Sequence, residues 1–287
     1  MKNLDGFFTY DHLLHEPLKN RGWKAIPVPW RSSDVNWNQF EAVIIRSPWD
    51  YQDDPGRFLD LLRTIDRSTA HLENDLKLVL WNIKKSYLFE LEKRGIPIVP
   101  TFRGDNFRSA VPDKFFEQFN TEEIVIKPVV GANADDTYRL NRNTLHSFLP
   151  ELKKKFRHRE FIVQPFMDRI ISEGEYSLFY FDKKYSHAIL KTPKEHDFRV
   201  QEEHGGILQN AEATGEMLDI GERMLETLSP TPLYSRIDLV RDSDGSFALM
   251  EVELIEPSLY FNMDPDAAEL FADLFDRRMK KLKSLKS

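Results

Sequence analysis

The sequence contains no cysteine, and this absence excludes disulfides, thiolate zinc sites, iron–sulfur clusters and a cysteine nucleophile. Glycine is scarce, with 12 residues in a chain of 287, and neither G-x-G-x-x-G nor G-x-x-x-x-G-K-[ST] occurs. The two commonest glycine-rich nucleotide signatures are therefore excluded. H-E-x-x-H and G-x-S-x-G are missing as well, which argues against the zinc proteases and serine hydrolases that carry them.

Long apolar runs and a basic charge excess are also missing. No stretch approaches about 18 uninterrupted apolar residues, so no transmembrane helix is expected. The first residues lack the apolar core of a signal peptide, so a cytoplasmic protein is the default expectation. Lys and Arg number 40 against 47 Asp and Glu, and this net charge of −7 argues against nucleic acid or an anionic membrane as a partner. A small anionic ligand at a local basic site stays compatible with it.

The apolar content, 41% with 21 Phe, is enough for a core shared by two or three small domains. Residues 1–81 alternate strand-like and helix-like patterns and are predicted to form an α/β unit. Strands are expected at 25–29, 40–45 and 79–81, and a helix at 58–65. Such a unit usually opens with a strand, yet the first helix is expected near Leu13. Either that strand is missing or the unit is built differently.

Two further segments follow. Residues 82–165 are predicted to combine helices with strands, the strands lying at 96–99, 124–128 and 161–164. Residues 166–287 are predicted to be rich in strands, with a helix near 213–228 and a terminal helix from about Pro265. The fold class expected from these patterns is mixed α/β, or α+β.

An acidic cluster near the C-terminus is the first candidate site. Asp238 lies inside an apolar strand, and Glu251 and Glu253 stand two apart on the next strand, on the same face. The intervening turn, residues 242–245, predicts a hairpin that brings Asp238 toward both glutamates. Such carboxylates repel one another, and a Mg²⁺ or Mn²⁺ ion is a common remedy. The alternative is an outward polar face of an edge hairpin.

Three cations are candidates for binding an anion. Lys127 ends a buried strand beside the small-residue loop 131–137, an arrangement suited to phosphate. Arg199 precedes Gly205-Gly206, and Arg236 shares a strand face with Asp238. An arginine aimed at such a site can stabilise a developing anion. The alternative is a surface strand end for the lysine and structural ion pairs for the arginines.

Taken in order, these residues resemble the ATP-grasp superfamily, in the glutathione synthetase and ribosomal-protein glutamate ligase branch and near the cycloserine ring-closing type. The resemblance covers roughly residues 40–262. It implies an ATP-grasp fold with an N-terminal Rossmann-like domain at 1–81, which may or may not have its first strand, a small lobe at 82–165 and a large lobe with the metal site at 166–287.

The resemblance also implies roles for individual residues. Lys85 and Lys127 correspond to the two lysines that bind ATP phosphates, with Lys84 replacing the usual acid, and loop 131–137 corresponds to the flexible phosphate cover. Residues 164–167 resemble the adenine-binding hinge. The implied ATP ligands are therefore Lys85, Lys127, Gln164 and Phe166, with Glu173 and Glu175 as ribose candidates.

The same resemblance assigns Arg199 to the phosphates and Asp238 and Glu251 to Mg²⁺. Glu253 stands where the family usually has Asn, and Glu256 is a rival ligand if the register shifts. The catalytic candidates are Arg199 and Arg236.

An N-terminal motif follows the strand at 40–45, at the sheet edge where ligands bind in open α/β folds. It matches an Arg-x-x-Trp-Asp-Tyr pattern of the cycloserine-type ligases, with Arg46, Trp49, Asp50 and Tyr51 as substrate candidates. Arg46 is expected to bind a substrate carboxylate, and Trp49 and Tyr51 are expected to line the substrate pocket. The alternative is an ordinary Pro-Trp turn packed on the core.

The implied activity is an ATP-dependent ligase that joins a small-molecule carboxylate to an amine or a related nucleophile through an acylphosphate. ATP and Mg²⁺ (or Mn²⁺) are the implied cofactors, and a homodimer is one possible assembly. Two other functions stay open: a catalytically silent ATP-binding module and a small-molecule kinase on the same fold. His204 is a candidate general base, although a loop histidine before two glycines is more often structural.

Overall fold

The computed structural model describes residues 7–107 and 112–286, and these form three sheets joined by helices. A two-stranded parallel sheet lies in the N-terminal part, a four-stranded antiparallel sheet (β3-β6-β4-β5) in the middle and a five-stranded antiparallel sheet (β11-β10-β7-β8-β9) in the C-terminal part. The strands are β1 Ala42–Ile44, β2 His71–Glu73, β3 Phe102–Gly104, β4 Glu123–Pro128, β5 Tyr138–Asn141, β6 Phe161–Pro165, β7 Glu175–Phe181, β8 Lys184–Thr192, β9 Ile207–Ala211, β10 Tyr234–Arg241 and β11 Phe247–Glu253. The mixed α/β class is confirmed.

Helices cover the faces of these sheets. They are α1 His15–Asn20, α2 Pro55–Asp66, α3 Leu76–Asn82, α4 Tyr87–Lys93, α5 Asp113–Phe119, α6 Arg142–Lys155, α7 Arg169–Ser172, α8 Gly215–Glu226 and α9 Ala267–Lys286. Local capping explains several of their starts. Asp54 accepts a hydrogen bond from the amide of Arg57 and Pro55 occupies the first turn of α2, while Asn141 and Thr144 form a capping box on α6.

The five-stranded sheet carries a hydrophobic core on each face. One core joins Leu178 and Ile237 of the sheet to Met224 of α8. The other packs Phe179 and Phe271 together, so that α9 covers the opposite face and α1 packs beside it. Separate cores lie under the four-stranded sheet and around β1, β2 and α2.

The outer edge of β11 is closed by side chains from earlier in the chain. The Asn82 amide donates to the carbonyl of Val252 at 2.8 Å and its oxygen accepts from the amide of Leu254 at 2.9 Å. The Tyr87 hydroxyl donates to the carbonyl of Val252 and accepts from its amide. Asn74 donates to the Leu254 carbonyl. An edge that would otherwise expose its peptide groups is thus satisfied.

Three predicted strands are wrong or incomplete. Residues 79–81 belong to helix α3, because Asp75 caps its start and Leu78 and Val79 are buried on a helical face. Residues 25–29 are unpaired, since two prolines lack amide donors and most of the segment is exposed. Residues 96–99 form a single parallel bridge, Ile98 to Leu249.

Core packing differs from the predicted lobe boundary at residue 82. Leu88, Leu91 and Ile96 share the core of the five-stranded sheet with residues of α8 and β11, so this segment packs on the large sheet. The segment was placed in the small lobe because its pattern precedes the small-lobe strands, and sequence order does not reveal which sheet a helix covers. The predicted lobes remain a proposal in other respects.

The predicted lack of a first strand in the N-terminal unit is not tested by the described residues. Residues 1–6 lie outside the described part of the chain, and from Phe7 onward the first regular element is a 3₁₀ helix at Asp11–Leu14. Among the described helices, none combines the length and hydropathy needed to cross a bilayer.

The Asn82 contacts give a stability prediction. Asn82→Leu leaves the buried amide of Leu254 without a partner and removes one of the two donors to the Val252 carbonyl, so we expect the free energy of unfolding to fall by about 1–3 kcal/mol. Urea denaturation measures this. Asn143→Leu, at an exposed position of α6, is the matched control and is expected to change stability by less than about 0.5 kcal/mol. Equal effects of the two substitutions would contradict the edge-closing role.

Candidate functional site

A cleft lies between the four- and five-stranded sheets, and most of the candidate residues line it. Its walls come from the ends of β4 and β6, the loop 131–137, the segment 198–203 and the hairpin of β10 and β11. The candidates along the cleft are Trp49, Lys85, Lys127, Gln164, Phe166, Glu175, Arg199, Arg236, Asp238, Glu251, Glu253 and Glu256.

The predicted hairpin forms and brings the acids together. Asp238 stands directly opposite Glu251 in the β10–β11 register, and Arg236 stands opposite Glu253. The register shifts immediately after Asp238, between it and Leu239. A bulge of this kind bends the strand locally, next to the cluster.

Asp238 is surrounded by donors. Arg236 binds its carboxylate with Nε at 3.1 Å and Nη2 at 3.0 Å, the Ser177 hydroxyl donates to it at 2.5 Å and Lys191 Nζ lies 3.4 Å away. Burial by itself would raise the pKa of Asp238, but Arg236 and Lys191 lower it to about 2. Asp238 is therefore a carboxylate over the whole physiological pH range.

Lys191 is the residue that the sequence interpretation missed. Its side chain is 3% exposed, and its Nζ bridges Glu175 at 2.6 Å and Asp238 at 3.4 Å. Glu175, predicted to contact ribose, is instead paired within this buried network. A lysine inside the otherwise apolar strand run 188–192 was the available signal, because a lysine is almost never fully buried unless it is paired.

Glu251 and Glu253 each bind a different cation. Lys85 Nζ lies 2.6 Å from Oε1 of Glu251, and Arg236 donates from Nη2 to Glu253. Burial would lower the pKa of Lys85, but Glu251 raises it above the usual value, so the ammonium stays charged. The pKa of Glu251 is lowered: burial opposes this, and Lys85 and Lys127 cause it.

Two acids at the edge of the cluster have raised pKa values. Burial raises the pKa of Glu253 to about 7, although Arg236 opposes the shift. Burial and the neighbouring charge of Glu253 raise the pKa of Glu256 to about 8. Tyr51 lies near Glu256 and partly offsets the rise of its pKa.

The carboxylates fit a hard divalent cation in their chemistry, since they supply several oxygen donors in one buried cleft. In the described part of the chain, however, no group of three or more acids or histidines is already arranged around a common cation position. Protein cations bind these carboxylates instead. The predicted metal set of Asp238, Glu251 and Glu253 therefore stays a prediction that requires some of these ion pairs to open.

Lys127 differs from the other cations of the cleft. It lies near the end of β4 and is half-buried, and its ammonium makes no hydrogen bond or ion pair within the described residues. Burial lowers its pKa, and Lys85 nearby lowers it further. A half-buried ammonium that forms no ion pair and lines a cleft is suited to a phosphate ligand.

The loop at 131–137 is fastened over the cleft by polar contacts. The side-chain amide of Asn133 donates to the carbonyl of Trp49 at 3.0 Å, and the backbone carbonyl oxygen of Asn133 lies 3.1 Å from Nε2 of His204. The Gln52 side chain donates to Asp135 at 2.9 Å. Asn133, Ala134 and Asp136 have positive φ, which short polar and small residues tolerate best. His204 thus supports the loop, in agreement with the structural alternative.

At the predicted hinge, Gln164 and Phe166 lie at the C-terminal end of β6. The Gln164 side chain donates to the Thr101 hydroxyl at 2.9 Å, so it is engaged within the small lobe. The Arg139 guanidinium stacks 3.7 Å from the Phe166 ring, whose edge meets Phe198. These aromatic and apolar groups give the cleft a flat wall at this end.

Arg199 reaches the cleft while paired with Asp197. Its Nε and Nη2 donate to the carboxylate at 3.1 and 2.8 Å, and the guanidinium is about one-third exposed at 37%. The hydrogen bonds from Arg199 lower the pKa of Asp197 well below its usual range. The pair fixes the direction of the guanidinium through Nε and Nη2, and Arg199 lines the cleft.

Four predicted site residues, Arg46, Asp50, Tyr51 and Glu173, do not line the cleft, and two of them pair with residues outside it. Glu173 pairs with Arg241 at 3.0 Å, because Gly174, with φ of 120°, turns the chain before β7 begins at Glu175. Asp50 is bound by Arg31 at 2.9 Å and by the Trp30 indole. Neither lines the cleft, so this geometry does not support the ribose role of Glu173 or the substrate role of Asp50, and both stay predictions.

Arg46 and Trp49 connect the N-terminal segment to the site. Trp49 is buried and its indole donates to the carbonyl of Glu256 at 2.8 Å. Arg46 donates from Nε to Asp11 at 3.0 Å and from Nη2 to the carbonyl of Pro257 at 2.9 Å, while its buried Nη1 has no partner in the described residues. Arg46 therefore has one donor group left for a ligand.

The chain matches two family profiles. Residues 109–263 match the ATP-grasp domain of prokaryotic glutathione synthetase, and residues 1–74 match the N-terminal domain of D-cycloserine synthetase DcsG.

Individual proteins are similar over nearly the whole chain. The cycloserine biosynthesis protein DcsG of Streptomyces lavendulae is 29% identical over 93% of each chain. A crystal structure of D-cycloserine synthetase DcsG superposes with a TM-score of 0.84 at 28% identity, covering 93% of this chain and 94% of the other. The ATP-grasp ligase PsnB, solved with minimal precursor, Mg and ADP, shares the fold at a TM-score of 0.65 and 15% identity over 94% of each chain.

The raised pKa of Glu256 predicts a pH-dependent stability. The folded chain binds this proton more tightly than the unfolded one, so the associated stability is complete below about pH 4 and is lost as the pH rises toward 8. Without metal or nucleotide, the free energy of unfolding of Glu256→Gln is therefore expected to rise by about 3 kcal/mol relative to that of the wild type between pH 5 and pH 8.

Urea denaturation at both pH values measures this difference. The matched control is Glu117→Gln, an exposed acid on α5, for which the difference from wild type should be the same at both pH values. An unchanged pH dependence in Glu256→Gln would refute the raised pKa.

Proposed function

This chain belongs to the ATP-grasp family of ATP-dependent ligases, as the order of its motifs indicated, and we propose that it joins a small-molecule carboxylate to an amine or a related nucleophile through an acylphosphate. The observation that carries the proposal is the half-buried ammonium of Lys127, which pairs with no carboxylate and lines the cleft beside the acidic cluster. A site with both features provides a cation for phosphate and oxygen ligands for the divalent ion that accompanies it.

The nucleotide is proposed to lie along the cleft. Phe166 and the neighbouring hinge backbone bind the base, and Lys127 and Lys85 bind phosphate oxygens. The loop 131–137 covers the phosphates, and its contacts with Trp49 and His204 exclude water from them. Glu175 remains a structural member of the Lys191 network in this arrangement.

Asp238, Glu251 and Glu253 would bind Mg²⁺ (or Mn²⁺), with Glu256 as the alternative to Glu253 for the third ligand. The ion supplies charge neutralisation at the phosphate oxygens when it is bound. Arg236 and Lys191 orient Asp238 from behind, as second-layer partners of metal ligands commonly do.

The proposed chemistry has two displacements. A substrate carboxylate oxygen attacks the γ-phosphorus of ATP. The bond between that phosphorus and the bridging oxygen of ADP breaks, and an acylphosphate results. The amine nitrogen then attacks the acyl carbon, phosphate leaves with the bonding electrons, and the nitrogen loses a proton. Amide formation from a free carboxylate is uphill in water, and this sequence couples it to cleavage of ATP.

The residues of the chain contribute mainly charge and position. Arg199, held by Asp197, directs its guanidinium at the transferred phosphoryl group, and Arg236 keeps Asp238 and Glu253 in place. Preorganised donors of this kind lower the barrier because they need no reorganisation when charge develops. No general base is assigned.

The carboxylate substrate is proposed to bind near the N-terminal motif. Nη1 of Arg46, which lies outside the cleft, is the unpartnered donor of this motif, and Trp49 lines the cleft. The similarity to D-cycloserine synthetase favours a small amino-acid-like substrate. The net charge of −7 gives no support for a nucleic-acid partner, and a homodimer is compatible with the proposal.

Substrate-dependent ADP release tests the proposal. A panel of amino acids and small acids, with D-cycloserine formation as one arm, is screened by coupled assay and by mass spectrometry for an amide product. Lys127→Met is expected to lower kcat/KM at least about 100-fold, because it removes the cation that faces the phosphates. Lys114→Met, an exposed lysine on α5, is the matched control and should stay within about twofold of wild type.

The products separate the possible outcomes. A stable phosphorylated product without an amide would identify a kinase, and tight binding of Mg²⁺·ATP without turnover on the whole panel would identify a silent binding module. Unchanged turnover in Lys127→Met or in Asp238→Asn would contradict the site assignment.

A further inference from the structure

The candidate metal ligands are already neutralised by protein cations. Glu251 accepts from Lys85 at 2.6 Å, and Asp238 and Glu253 share Arg236. The Lys85 ammonium also donates to the carbonyl of Gly131 at 3.0 Å, so two of its three protons are used inside the protein. Lys85 therefore binds the Glu251 carboxylate oxygen that a divalent ion would need as a ligand. The ammonium lies at the start of the 131–137 loop, which is proposed to cover the phosphates.

The two cations are not held equally firmly. Arg236 is 10% exposed and contacts two carboxylates at once, and a planar guanidinium paired in this way has little freedom to leave. Lys85 binds a single carboxylate through a flexible four-carbon chain, and its other contact belongs to the 131–137 loop. A phosphate anion above it can therefore draw Lys85 away from Glu251, whereas Arg236 stays.

We propose that Lys85 is an internal counter-cation that blocks divalent-metal binding at Glu251 until nucleotide phosphates take over its ammonium. This inference rests on the nucleotide and metal site of the proposed function. The ammonium and the metal compete for the same carboxylate oxygen, so metal binds weakly to the free protein. Once Lys85 moves to phosphate, Glu251 becomes a ligand, and metal and nucleotide favour each other reciprocally.

Metal binding without nucleotide tests the proposal directly. Mn²⁺ is titrated into the full chain, and the free ion is quantified by electron paramagnetic resonance. Lys85→Met is expected to tighten Mn²⁺ binding about 10-fold over wild type, in the range of ordinary coupling energies. Lys85→Arg keeps a cation on Glu251 and is expected to bind Mn²⁺ as weakly as wild type.

Two controls separate the ion pair from general electrostatics. Lys127→Met removes the same charge from the same cleft without breaking a carboxylate pair, and should tighten Mn²⁺ binding less than about threefold. Lys84→Met removes the adjacent lysine, which pairs with Glu160 at the surface. This substitution should leave the affinity for Mn²⁺ unchanged. Thermal melting followed by circular dichroism checks that each variant is folded.

Three results would overturn the proposal. The first is unchanged or weaker Mn²⁺ binding in folded Lys85→Met, and the second is equal tightening in Lys85→Met and Lys127→Met. Either of these two results leaves the proposed function intact if the protein binds Mn²⁺ in the presence of a non-hydrolysable ATP analogue. The third is no Mn²⁺ binding to any variant with or without the analogue, which refutes the metal site itself and this inference with it.

Discussion

Neutralising the carboxylates buried in one cleft is the constraint on which this structure depends. Asp238, Glu251 and Glu253 face the same space, and Glu175 and Glu256 adjoin them. Without compensation, burial alone would protonate such groups or expel them. Lys85, Lys191 and Arg236 hold the cluster together, and the acids with least compensation, Glu253 and Glu256, are those whose pKa rises to about 7 and 8.

The backbone places these charges with few degrees of freedom. Cross-strand pairing sets Asp238 opposite Glu251, and the side chains of Asn82 and Tyr87 fix the outer edge of the same strand. The edge contacts come from the segment that also carries Lys85. One short stretch of chain therefore supports the strand that presents the acids and supplies a cation to them, which couples the stability of the hairpin to the geometry of the site.

Local signals in the sequence were sufficient where the structure depends on local physics. The Asp242–Gly245 turn and the apolar alternation predicted the β10–β11 hairpin, and the periods of 58–65 and 213–228 predicted helices that form. Prediction failed where a local pattern was ambiguous. A short apolar run at 79–81 suits a strand or a buried helix equally, and the cap at Asp75 with packing from both sides selected the helix.

The sequence by itself determined the family, the mixed α/β class and the identity and order of the charged residues that line the cleft. Only the tertiary structure decided which charge meets which. It paired Lys85 with Glu251 across 166 positions, inserted Lys191 between Glu175 and Asp238, and directed Glu173 and Asp50 to partners outside the cleft. The physical reason is that an ion pair forms wherever packing brings two side chains within a few ångströms, and separation along the chain carries almost no information about that distance.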